Sequence, residues 1–81
     1  MFFVYVLQCS DQTYYIGSTK NLEKRLVQHN AHKAGARYTK MRRPVVLKYS
    51  ESFPTLHEAR RREAEIKKWK RPQKEHLFKI N

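Results

Sequence analysis

Phe2-Phe3-Val4-Tyr5-Val6-Leu7-Gln8 and, beyond a polar turn at Ser10-Asp11-Gln12, Thr13-Tyr14-Tyr15-Ile16-Gly17 decide the fold. The first run is apolar at both odd and even positions, which predicts a strand covered on both faces and central in a sheet. The second is β-branched and aromatic and predicts the partner strand of a hairpin, ended by Gly17. Pairing Tyr5 with Tyr15, or with a residue two away, places both phenols on one face.

Outward from the hairpin, Ser18-Thr19-Lys20-Asn21 leads into a helix with Asn21 as N-cap, running to about His32. Leu22, Leu26 and His29 share one helical stripe, and Arg25 flanks it. Residues 33–43 form a basic connector with room for a short helical turn. Pro44 opens a third strand over Val45–Tyr49. Thr55-Leu56-His57-Glu58 is a capping box that starts a helix reaching about Lys70. Arg71-Pro72 breaks it, and Pro72 suits the first turn of a last helix through about Phe78. The order β-β-α-β-α-α is that of an α+β domain, helices on a small sheet. With 81 residues, the chain reads as a single domain over 1–81. A domain of this size buries only about 60–65% of the surface its unfolded chain exposes. Any active site must be built from residues that also hold the fold.

Lys and Arg number 18 against 7 Asp and Glu, a net charge of +11. The pI is near 10.2. Such an excess points to a polyanionic partner, most often nucleic acid. A membrane surface is the weaker alternative, since Trp69 is the only candidate anchor on the basic 60–70 segment. The apolar start ends after seven residues, too short for a membrane span, and lacks the basic region of a secretory signal. Cys9 is the only cysteine, which excludes an intrachain disulfide and a multi-thiolate zinc site and fits a reducing cytosol. The expected location is cytoplasmic, with association with a bacterial nucleoid left open. Gly-rich phosphate loops, His-Glu-x-x-His and nucleophile elbows are absent from the sequence.

Five polar residues fall where apolar ones would be expected: Tyr5, Tyr15, Arg25, His29 and Glu63. Glu63 shares a helical face with Leu56, Ala59 and Ile66, and a carboxylate there must be paired, protonated or bound to a cation. Its bland reading is a half-buried ion pair. Arg25 and His29 stand one turn apart. Their bland readings are a surface ion pair with Glu23 or Asp11 and a core histidine. The tyrosines have a bland reading too, as core residues with satisfied hydroxyls. Two-metal nucleases need several clustered acids. With one inward acid here, if a metal is used, a single Mg²⁺ (or Mn²⁺) ion held by Glu63, waters and substrate oxygens is the economical reading. Lys20, Lys33, Arg37, Lys40, Arg42 and Arg43 would suit phosphate contacts, with Tyr38 to stack on a base. The bland reading of such a run is a solvated face, against which the global charge excess argues. Six such contacts would weaken binding about 10³-fold between 50 and 200 mM salt.

In order along the chain, Phe3-Val4-Tyr5, Tyr15-Ile16-Gly17, Gly17-Ser18-Thr19 with Arg25 and His29, and Arg62-Glu63-Ala64-Glu65-Ile66-Lys67 resemble the successive motifs of the GIY-YIG nuclease superfamily. Gly35-Ala36-Arg37-Tyr38-Thr39 and Arg42-Arg43-Pro44-Val45 are similar to its small stand-alone bacterial branch. The first motif keeps its tyrosine but has Phe3 and Val4 for the usual Gly and Ile. Relatives often carry a late Asn near the site, for which Asn81 is the only late candidate here. The resemblance implies a three-stranded antiparallel-type sheet flanked by helices and a metal-dependent DNA endonuclease. Its catalytic residues would be Tyr5, Tyr15, Arg25, His29 and Glu63, with Glu63 on the metal. Branched or structured DNA is a candidate substrate, and a protein partner and the oligomeric state are open. The rival classes are a non-catalytic DNA- or RNA-binding module of the same fold and a small ribosome-associated protein.

Overall fold

The computed structural model describes residues 1–30 and 42–79. Within them the elements are β1 (Phe2–Gln8), β2 (Tyr14–Thr19), α1 (Leu22–Asn30), β3 (Val46–Phe53), α2 (Leu56–Lys67) and α3 (Arg71–Lys79). The strands form one antiparallel sheet in the order β2-β1-β3, with the doubly apolar strand in the centre. The α+β architecture is the expected one. The helical turn expected within 33–43 lies largely outside the described residues.

Alternation along β1 builds two cores. Val4 and Val6 face α2 and α3, packing with Ile16, Ala59 and Ile66 and with the edges of Tyr49, Phe53, Leu77 and Phe78. Tyr5 and Leu7 face the other way, with Cys9, Val45, Leu22 and Leu26. β3 serves both cores through a register shift. Val6 lies opposite Tyr49 but Leu7 lies opposite Leu47, so Lys48 is the extra residue of a bulge. The bulge turns Leu47 toward the Tyr5 core while Tyr49 and Phe53 remain in the Val4 core.

Local chemistry sets the boundaries. The hairpin turn places Gln12 at φ 73, and Asp11 Oδ1 accepts from the Thr13 hydroxyl at 2.6 Å and its backbone N–H at 3.2 Å. Asn21 Oδ1 caps α1 by accepting from the Lys24 N–H at 3.0 Å. At the other end of α1, the Asn30 amide clamps Val45, accepting from its N–H at 2.9 Å and donating to its carbonyl at 3.3 Å. Thr55 caps α2 as its sequence predicts, accepting from the Glu58 N–H at 3.2 Å.

Four expectations need correction. β2 does not end at Gly17 but runs on through Thr19, because Ser18 and Thr19 continue the pairing with Val4 and Phe3 of β1. β3 runs four residues past Tyr49, because Ser50 and Ser52 face out while Glu51 and Phe53 face in, and Glu51 finds a partner in Arg62 at 2.9 Å. α2 ends at Lys67, short of Lys70. Leu56 is 38% exposed, because it is the first helical residue and the buried stripe begins at Ala59.

Candidate active site

The register pairs Tyr5 with Gly17 and Leu7 with Tyr15, so the two phenols lie on one face of the sheet, two residues apart in register. Their rings are 6.4 Å apart, and both meet the His29 imidazole edge-on, at 5.7 Å for Tyr5 and 4.9 Å for Tyr15. His29 is 1% exposed. The Tyr5 hydroxyl is 2.8 Å from its Nε2, and Arg25 Nε donates to the same hydroxyl at 3.3 Å. Arg25 also donates to Gln28 Oε1 at 3.3 Å. One turn of α1 thus brings a guanidinium and an imidazole to a single buried phenol. Arg25 turns to Tyr5 and Gln28 rather than to Glu23 or Asp11, and Asp11 pairs with Arg42 at 2.9 Å.

Gly17 makes this arrangement possible. A Cβ there would stand 2.5 Å from the Tyr5 hydroxyl oxygen and 2.7 Å from its Cζ. The hydroxyl occupies space that any other residue at 17 would fill. The requirement is steric, since the backbone at Gly17 is not in the left-handed region.

Across the edge strand, Ser18 points to the opposite face, toward α2. Its hydroxyl donates to Glu63 Oε1 at 2.7 Å, and Lys67 Nζ meets Glu63 Oε2 at 2.7 Å. Tyr5, Tyr15, Gly17, Ser18, Arg25, Arg60, Glu63, Ala64 and Lys67 line one open cavity of about 420 Å³. β2 is an edge strand and Gly17 has no side chain, so the cavity passes over the sheet edge. It joins the Tyr5–Arg25 side to the Glu63 side.

The electrostatics follow from burial beside fixed cations. Burial pushes the Tyr5 phenol above its usual value near 10, while the Arg25 hydrogen bond and charge pull the other way. His29 is lowered from 6.5 to about 4 by burial and by the charges of Arg25 and Arg43, so it is neutral at pH 7. His29 is not among the cavity-lining residues, and its Nε2 meets the Tyr5 hydroxyl, which is.

The donors suit a single hard cation. The described residues hold no cluster of three or more His, Cys, Asp or Glu. Glu63 already has a cation, the Lys67 ammonium, on one oxygen. Mg²⁺ keeps most of its waters and takes one or two carboxylates plus substrate phosphates. Glu63 with the Ser18 hydroxyl beside it fits that pattern.

All five residues singled out from the sequence come together, four at the cavity and His29 behind Tyr5. Arg60, Ala64 and Lys67 were missed. Their signal was available, because 60, 63, 64 and 67 fall on one helical face. Ser18 gave no such signal. Only the hairpin register brings it opposite α2. Lys20 is exposed and is not a lining residue. Arg42 pairs with Asp11, and Arg43 Nε donates to the His29 carbonyl at 2.8 Å, so both hold the 42–45 segment to the domain. Lys33, Arg37, Tyr38, Lys40 and Asn81 lie outside the described residues. No helix of the described residues is long and apolar enough to cross a membrane.

Comparison with known proteins agrees with this geometry. Residues 1–76 match the family described as the GIY-YIG catalytic domain. A UPF0213 protein of Syntrophus aciditrophicus is 52% identical over 79 residues, covering 98% of this chain and 91% of its own. One from Halobacterium salinarum is 51% identical over 78 residues, 96% of this chain and 100% of its own. The solution NMR structure of a UPF0213 protein from Bacillus halodurans superposes with a TM-score of 0.63 at 38% identity, covering 100% of this chain and 86% of that one. An E. faecalis NMR structure gives 0.64 at 41%, covering 96% and 82%. The chain belongs to the GIY-YIG family, within which it groups with the UPF0213 proteins.

Proposed function

We propose that this protein is a metal-dependent DNA endonuclease. The GIY-YIG domain points to a nuclease superfamily. The observation that carries the finer reading is the Tyr5 hydroxyl, held between His29 and Arg25 and lining the same cavity as Glu63. The net charge of +11 supports a polyanionic substrate.

In this reading Arg25 and Arg60 draw the phosphodiester into the cavity, and Arg25 stabilises charge as it develops on the phosphoryl oxygens. Glu63, oriented by Ser18, holds the Mg²⁺ or Mn²⁺ ion. When bound, that ion supplies Lewis-acid stabilisation of the phosphoryl and leaving oxygens. Tyr5 accepts the proton of the attacking water and passes its own to His29 Nε2, with the imidazole in its Nδ1–H form. The phenol stays neutral throughout. A standing phenolate–imidazolium pair would oppose a phenol above 10 to an imidazole near 4, a gap of more than about 6 pH units. A phosphodiester beside Arg25 offsets one of the charges that lower His29, so substrate raises the basicity of the group that must accept the proton. Tyr15 packs against His29 and lines the same cavity as Tyr5 and Glu63.

The alternative is a DNA- or RNA-binding module that does not cut, and it too has an observation behind it. Both Glu63 oxygens already have protein partners, as a structural carboxylate would. The two readings separate on labelled single-stranded, duplex, flap and branched DNA with Mg²⁺, Mn²⁺ or EDTA. A nuclease cuts at least one substrate with metal and none with EDTA. Binding throughout with no cutting by either metal rejects the proposal in favour of the module.

A further inference from the structure

We infer that Lys67 is the resident cation of the Glu63 site, and that Lys67 and the divalent ion exchange there. The inference rests on the metal-dependent reading above. Glu63 is only 19% exposed, and its oxygens are divided. Oε1 is fixed by the Ser18 hydroxyl at 2.7 Å, whereas Oε2 is paired with the Lys67 ammonium at 2.7 Å. The Ser18 bond joins the helix to the edge strand, between residues 45 apart in sequence. The Lys67 bond is an i,i+4 pair with the lysine side chain 54% exposed, a contact that yields easily. An ion entering at Oε2 therefore meets a cation already there, and the two charges repel at contact distance.

The flexible stem lets the displaced ammonium swing away while its Cα stays one turn from Glu63. Lys67 and Arg60 both line the cavity. The freed ammonium thus adds positive charge beside the phosphodiester only once the divalent ion is seated. Before that, Lys67 keeps the lone carboxylate of the cavity partnered and directed at the cation position.

The test is Mn²⁺ binding without substrate, read on the full chain as paramagnetic broadening of the Ser18 and Glu63 amide resonances. Lys67→Met is expected to lower the Mn²⁺ midpoint ~2- to 5-fold, the worth of a partly exposed ion pair. Lys70→Met removes the same charge at a residue that does not line the cavity and is expected to leave the midpoint unchanged. Glu63→Gln is expected to abolish the broadening. A Lys67→Met midpoint equal to or above that of the wild type, with the broadening still dependent on Glu63, overturns the exchange and leaves the nuclease reading intact. An equal shift in both lysine variants also overturns it, because net charge would then be the cause. Absence of Glu63-dependent broadening in every variant overturns the exchange together with the metal site on which it rests.

Discussion

Acidification should destabilise this domain through His29. The imidazole is 1% exposed, and burial with the Arg25 and Arg43 charges holds it at about 4, against 6.5 in the unfolded chain. Between those values the unfolded chain binds a proton on this ring and the folded chain does not, so stability falls as pH falls. The contribution is complete above about 6.5, shrinks down to about 4 and changes no further below that. A gap of about 2.5 pH units at roughly 1.4 kcal/mol each is about 3 kcal/mol, most of it lost by pH 4.5. For a small domain this is a large share of a total stability of about 5–15 kcal/mol. Urea unfolding followed by the fluorescence of Trp69, the sole tryptophan, measures it from pH 7.5 to 4.5. The reference is His29→Gln, which keeps an acceptor for Tyr5 but does not titrate. The wild type should lose ~2–3 kcal/mol more than the variant over that range, which cancels the contribution of the carboxylates. Parallel pH dependences, or an NMR titration placing His29 near 6.5, would refute the reasoning.

Three further outcomes follow from the same contacts. Gly17→Ala sets a methyl 2.5 Å from a buried hydroxyl that is held at 2.8 Å by His29. It should cost ~1–3 kcal/mol in denaturant melts and reduce cleavage, and a neutral effect on both would mean Tyr5 can move. Tyr5→Phe leaves His29 Nε2 and Arg25 Nε without this partner. It should keep the far-UV circular dichroism spectrum, destabilise by ~1–3 kcal/mol and slow cleavage ~10²- to 10⁴-fold, and unchanged cleavage would remove the phenol from the reaction. DNA affinity should fall about 10³-fold between 50 and 200 mM salt if six cations meet phosphates, whereas a nearly flat dependence would show that the +11 charge is not used on the backbone.

Much of this molecule was legible because its local signals agree with its tertiary structure. The doubly apolar run over Phe2–Leu7 implied a central strand, and the sheet order β2-β1-β3 bears that out. The Thr55 capping box lies where its sequence put it. The site was legible through misplaced polarity, since Tyr5 and His29 are about 1% exposed and meet each other. What stayed hidden depends on pairing between distant segments. The bulge at Lys48 lets one alternating strand feed two cores, and no local pattern reveals it. The Ser18–Glu63 bond joins residues 45 apart in sequence. The role of Gly17 is likewise set by the Tyr5 ring across the strand pair rather than by its own backbone.

The central claim is that the carboxylate and phenol sharing one cavity hydrolyse a phosphodiester. Cleavage and binding measured side by side on one DNA substrate, for wild type and Glu63→Gln with Mg²⁺, test it most directly. The account predicts metal-dependent cutting by the wild type and its loss in the variant, with DNA affinity retained and the fold intact. Cutting that survives the substitution, or equal loss of binding and cutting in a folded variant, would contradict it.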